Sequence, residues 1–301
     1  MRIRNAIGAT IAVAVLASMI GGALAHDETK YPDFKGQWRR SGPGAAGGLL
    51  AGGAGGLRYD ESNPPSLAPD LGQKPPLTPE YQKIYNDNLD DMTKGGQGID
   101  PTASCISPGM PRVMIGYSSL EFVVTPEVTY ILMERDHDHY RRIYTDGRSF
   151  PDDMAGNPQF LGYSLGKWID TDGNGRYDVL EIETRGLKGP RVFDATGIPL
   201  HSDDATVIQE RIYLDKADPN LLHEDITTID HALTRPWVVN KVFRRVASNK
   251  PIWTNHSVCM EGNNHVKVGN EYYFRSFDGQ LMPTKKDQQP PDLRYFKQST
   301  R

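Results

Sequence analysis

The chain has 301 residues, 34 Lys and Arg against 38 Asp and Glu, a formal net charge of −4 at pH 7 and 38% hydrophobic residues. That length suits one large domain or two small ones, and the mild acidity argues against nucleic acid as a partner. No dinucleotide fingerprint, P-loop, haem motif or zinc-type spacing occurs, so a cofactor-heavy function is not expected.

The first 25 residues read as a secretory signal peptide. Arg2 and Arg4 precede an apolar run from Ala6 to Gly22, and Ala23-Leu24-Ala25 is an A-x-A cleavage site. The run is too short to be preferred as a membrane span. Cleavage would leave 276 residues (301 − 25) beginning at His26, with a formal charge of −6 once Arg2 and Arg4 are gone (−4 − 2). A soluble periplasmic or secreted protein is the expectation. His26 as a new N-terminus could chelate copper with His137 and His139, but the two sit among aspartates, where solvated turn residues are the default.

Residues 26–104 are expected to lie outside the main domain. Gly36-Gln-Trp38 comes first, and residues 41–77 are then dominated by Gly and Pro, too poor in apolar side chains to build a core. Thr78-Pro79-Glu80 starts a helix, with threonine as N-cap, proline at N1 and an acidic first turn, running to about Met92. Cys105 and Cys259 form an even pair, which in an oxidising compartment points to a disulfide joining the start of the folded domain to its end.

From about Met110 the pattern is strands and tight turns, without intervening helices. Strands are expected at 128–134, 140–144, 162–169, 179–184, 207–214, 222–229, 237–245 and 272–276, which indicates a sandwich or barrel over 105–301. Asp136-His-Asp-His139 reads as a hairpin tip, and Asp146-Gly147 and Asp278-Gly279 are hairpin-type dipeptides. Gly162-Tyr-Ser164-Leu-Gly166 matches the nucleophile elbow, but a hairpin follows it instead of a helix. The glycines are better explained by strand bending or close packing.

Asp170-Thr-Asp172-Gly-Asn174-Gly175-Arg176-Tyr-Asp178-Val-Leu-Glu181 meets every slot of a calcium loop. Asp170, Asp172 and Asn174 offer side-chain oxygens, Arg176 its carbonyl, and Asp178 and Glu181 carboxylates. Both flanks are strand-like, so a β-hairpin carrying the ion is expected, similar to the D-x-D-x-N-G-x-x-D loops of integrin-type propeller repeats. In that geometry Asp178 is a ligand and Glu181, already in the strand, need not be. The competing reading is a turn built from turn-favouring residues.

Polar residues on otherwise apolar strands mark a pocket. Glu134 shares a face with Tyr130 and Leu132, Glu210 with Ile208 and Ile212, and Asp225 with His223, Thr227 and Ile229. Arg141 or Arg142, and Arg211, could pair with them inside a barrel, since buried charges need partners. Glu134, Tyr144, His201 and Asp225 are the candidate proton-transfer groups, and Arg142, Glu210 and Trp237 the candidate ligand contacts. Internal salt bridges and an ordinary loop histidine are the rival assignments.

The order of motifs resembles a family of exported bacterial proteins with lipocalin-like β-barrels. The likeness is carried by Pro32-Asp-Phe-Lys-Gly36-Gln-Trp38, Pro76-Leu-Thr-Pro-Glu-Tyr81, Cys105-Ile-Ser-Pro-Gly-Met-Pro111 and Arg141-Arg-Ile-Tyr-Thr-Asp-Gly-Arg148. It continues in Gly162–Trp168, Glu210-Arg211 and Cys259-Met-Glu-Gly-Asn-Asn264. The calcium-like loop departs from the family's shorter hairpin. The resemblance implies a mainly antiparallel lipocalin-like barrel with an N-terminal strap and one short helix packed outside it. Within that frame the expected function is binding of a small, largely apolar molecule, with structural calcium. A lyase or isomerase using barrel acid–base residues is the alternative, and a structural or partner-binding envelope protein a second one.

Overall fold

Alternating burial along successive strands rolls this sequence into a closed barrel. The computed structural model describes residues 26–41, 75–94, 96, 98–104, 106–115, 119–135, 137–247, 265–275 and 280–289. Nine strands close on one another in chain order: β1 (Gln37–Ser41), β2 (Leu120–Val124), β3 (Val128–Arg135), β4 (His137–Tyr144), β5 (Tyr163–Ile169), β6 (Val179–Arg185), β7 (Val207–Leu214), β8 (Leu221–Ile229) and β9 (Trp237–Arg245). Each strand sends alternate residues inward, as its two-residue period dictates. On β8, Leu222, Glu224, Ile226 and Thr228 are buried while Leu221, His223, Asp225 and Thr227 are only partly covered.

The barrel is antiparallel except at one seam. β4 and β5 run parallel, with Ile143 opposite Ser164 and Tyr144 opposite Leu165. A parallel neighbour needs a crossover of a dozen or more residues, and residues 145–162 supply it. Asp146-Gly147 therefore opens that crossover instead of turning a hairpin. The segment expected at a hairpin tip, His137 to His139, belongs to β4, where His137 pairs with Arg135 and Asp138 with Glu134.

The N-terminal segment does not lie wholly outside. β1 is a stave of the barrel, with Trp38 opposite both Leu120 of β2 and Arg245 of β9. At the other terminus, β10 (His265–Val268), β11 (Glu271–Arg275) and β12 (Leu281–Pro283) form their own three-stranded sheet. Cys105, Cys259, Asp278-Gly279, the signal-like segment and residues 42–74 of the Gly/Pro-rich stretch lie outside the described residues.

One α-helix occurs among the described residues, α1 (Pro79–Thr93), capped by the Thr78 hydroxyl accepting the Tyr81 N–H. It packs on the 186–206 loop between β6 and β7, at the end of the barrel away from the 170–178 hairpin. Tyr85 Oη meets Thr196 Oγ1 at 2.9 Å, and Asn88 Nδ2 donates to the Thr196 carbonyl at 2.7 Å. From the same loop Phe193 packs in a tilted arrangement on Trp237, with ring centres 4.3 Å apart. The opposite end is covered by the segment before β1, where Phe34 packs on Phe122 and Trp168. Among the described residues, no helix is long and apolar enough to cross a membrane.

Candidate functional site

The barrel interior is apolar except for one belt of charged and hydroxyl side chains. Ile131, Ile143, Leu180, Ile208, Ile212, Leu222, Ile226 and Phe243 are fully buried. Among them lie Arg141 on β4, Ser164 on β5, Thr184 on β6, Glu210 on β7, and Glu224 and Lys241 on β8 and β9, all buried. Arg141 grips Glu210 with both terminal nitrogens, at 2.9 and 2.8 Å, and also reaches the hydroxyls of Ser164 and Thr184 at 3.3 Å. A planar guanidinium fits a carboxylate in this two-pronged way, and the added hydroxyls help offset the loss of water.

Glu224 is held differently. Burial, and then the charge of Glu210, push its carboxyl well above the ordinary range. It lies close to Glu210, yet among the described residues neither of its oxygens meets hydrogen-bond geometry. Lys241, directly across the sheet from Glu224, is pushed well below the ordinary lysine range, first by burial and next by the positive charge of Arg40. The inward hydroxyls of Thr129 and Thr228, Nε of Arg141 and the indole N–H of Trp168 also lack partners among the described residues. Buried polar atoms are nearly always paired, so such a group of orphans in one barrel calls for an explanation.

The sequence-predicted residues divide sharply by strand face. Glu210 is inside as expected, and Trp237 is buried at the barrel end against Phe193. Arg142 and Tyr144 point outward, because Arg141 and Ile143 take the inward register of β4. Arg142 lies over the Tyr140 ring, and Tyr144 stacks on Tyr163 beneath Arg148. Asp225 is also outward, bonded to Tyr213 at 3.3 Å and Asn240 at 2.7 Å. It lines an outer groove of about 660 Å³ with Lys167, Glu183 and Arg211. Glu134 falls in β3 with its side chain outside the described set. His201 sits in the β6–β7 loop, remote from the inward belt, beside Tyr81, Asp203 and His231. Tyr144, His201 and Asp225 are therefore not brought together inside the barrel.

Sequence reasoning missed Glu224 and Lys241. The signal existed: Glu224 alternates with Leu222, Ile226 and Thr228, a more apolar face than the one carrying Asp225. Ser164 is likewise an interior residue in the middle of a strand, bonded to Thr184 at 2.8 Å, with no elbow geometry. A Cβ on Gly166 would come within 2.5 Å of Ile143 Cγ2, so close packing accounts for that glycine.

The 170–178 loop is a hairpin laced by its own side chains. Asp170 accepts the N–H groups of Asn174 at 3.1 Å and Gly175 at 2.7 Å, and Asn174 Oδ1 accepts that of Arg176 at 2.9 Å. Asp178 accepts from the Thr171 amide at 2.8 Å and from its hydroxyl. Burial works against the Asp178 charge, but the Thr171 bonds outweigh it and hold the carboxyl below its usual range. Asp172 bonds Lys216 at 2.7 Å, and Glu181 lies in β6 against Arg211 at 3.3 Å. Comparison with protein-family models and with curated proteins gives no match.

Proposed function

We propose that the barrel binds a small, largely apolar molecule bearing a polar group that meets Glu224 and the neighbouring inward hydroxyls. The observation that carries this reading is the set of buried, unpartnered polar atoms facing an otherwise apolar interior: both oxygens of Glu224, the hydroxyls of Thr129 and Thr228, and Arg141 Nε. Each such atom costs about 1–3 kcal/mol when left without a partner, a cost that a bound polar group relieves. Barrels of about this strand number hold either packed side chains or one small ligand. The raised pKa of Glu224 favours its protonated form, which would donate to a carbonyl or carboxylate, so the reading is a ligand with an acceptor head and an apolar body.

Native mass spectrometry of the purified protein, with titration of a fluorescent 18-carbon fatty acid followed by tryptophan quenching, tests the idea. Trp38, Trp168 and Trp237 are buried in the barrel and report directly. Expected is a retained small molecule or saturable quenching, weakened about tenfold in E224Q and T228V, which corresponds to about 1.4 kcal/mol. Bare chain mass with no quenching, or unchanged affinity in both variants, defeats the proposal and leaves a solidly packed structural or partner-binding barrel.

The enzymatic reading, a lyase or isomerase, is favoured by one observation. A carboxyl pushed up by burial and an amine pushed down by burial sit opposite each other on β8 and β9, the arrangement of an acid–base pair. In this reading Glu224 and Lys241 take the roles first assigned to Glu134, Tyr144, His201 and Asp225. Export, a Cys105–Cys259 disulfide, and calcium at Asp170, Asp172, Asn174, the Arg176 carbonyl and Asp178 complete the proposal. They rest on the signal-like N-terminus, the cysteine pair, the loop pattern and the resemblance to exported lipocalin-like proteins.

A further inference from the structure

His201, Asp203 and His231 converge at the barrel end beneath α1, although 30 residues and a whole hairpin separate the two histidines (231 − 201). One ligating atom from each lies within 4.8 Å of the other two. Asp203 Oδ2 is 2.7 Å from His231 Nδ1 and 3.3 Å from His201 Nδ1. In a tetrahedral shell with bonds of about 2.0–2.1 Å, adjacent donor atoms lie about 3.3–3.4 Å apart, so small side-chain adjustments complete the triangle.

The backbone beneath these side chains is held by two buried charges. Arg191, whose side chain is fully buried, donates to the carbonyls of His201, Asp203 (2.7 Å) and Leu187 (3.0 Å). Asp230 accepts the His201 N–H at 2.9 Å and the Ala232 N–H at 2.7 Å, tying together the two loops that carry the histidines. His201 Nδ1 is unprotonated and accepts the Asp203 N–H at 3.1 Å, a bond that a metal on this nitrogen replaces. Outer contacts of this kind fix ligand orientation at metal centres.

We propose that His201, Asp203 and His231 form a divalent transition-metal site with an open coordination position. Two imidazoles and one carboxylate suit zinc, cobalt or iron(II), whereas calcium takes oxygen ligands alone. The open position faces a shallow pocket of about 530 Å³ lined by Thr78, Pro79, Glu80 and Tyr81 at the start of α1. A water completes the shell there. This site stands apart from the barrel interior and from the 170–178 loop, so its fate is independent of either reading.

The test is calorimetric titration of zinc into the chelator-stripped, dialysed protein, with cobalt(II) absorption as a second readout of coordination. Expected is one zinc per chain with a dissociation constant on the order of micromolar and a visible cobalt band. H201Q and H231Q each weaken binding at least about tenfold and abolish the band, while D170N leaves both intact. His231 is two-thirds exposed, so H231Q tests coordination without disturbing the fold. Binding that survives both histidine substitutions, or no binding up to about 0.1 mM zinc, overturns the proposal.

Discussion

Arg141 and Glu210 sit where an unpaired charge would be costly, and their mutual contact is what makes either tolerable. Both side chains are essentially without solvent exposure. R141A leaves the Glu210 carboxylate buried and uncompensated, which costs about 3–5 kcal/mol of stability. Replacing both partners with apolar residues of similar volume, as in R141M/E210L, removes the burden along with the bond and falls near the wild type. Urea denaturation midpoints for the three proteins distinguish these outcomes. The same residue scale explains an error of one position. Arg141 and Arg142, like Glu224 and Asp225, are adjacent in sequence and point to opposite faces of a strand. Composition offers two charges, and only the register decides which one enters the barrel.

At the scale of elements, the 170–178 hairpin is preorganised without an ion, because Asp170, Asn174 and Asp178 already bond the loop's own N–H groups. Calcium would take over these oxygens and would have to draw Asp172 from Lys216. With a dissociation constant of about 1 mM, 10 mM calcium stabilises the protein by about 1.4 kcal/mol. That amounts to a rise of about 2–4 °C in Tm for a chain of this size. Differential scanning calorimetry with and without calcium measures it, and D170N should abolish the shift. An unchanged Tm would assign the loop to turn formation alone. The helix and β3 to β9 were legible from sequence because each depends on local pattern: an N-cap with proline at N1, or apolar residues at every second position; the five-residue β1 and β2 were not. The parallel seam between β4 and β5 was not. A crossover through residues 145–162 and a hairpin at Asp146-Gly147 have the same local chemistry at their first turn.

For the whole molecule, the buried Glu224 ties stability to pH. Its raised pKa means that the unfolded chain releases a proton that the folded barrel retains, from about pH 4.3 upward. Stability from this group is full below that range and is lost as pH rises toward the folded-state pKa. Lys241 acts in the opposite sense, since its lowered pKa makes the folded state lose stability as pH falls from the lysine range. E224Q removes only the first effect. Between pH 5 and 7 the variant should therefore gain on the wild type by about 1.4 kcal/mol per unit while Glu224 stays protonated in the fold. Parallel urea curves across that interval test it, and a constant difference would mean that Glu224 is ionised in the barrel.

By itself, the sequence determined that this is a β-rich chain with one capped helix, a turn rich in oxygen ligands and charges set into apolar strands. All of these are encoded in short windows, where dihedral preference and side-chain period act over a few residues. The tertiary structure alone decided that β1 closes the barrel, that Glu224 and Lys241 rather than Asp225 and Arg142 face inward, and that His201 meets His231. Those outcomes depend on closure. Strand tilt and register around nine staves choose the inner face and bring distant loops together at one rim, and no local pattern carries that information.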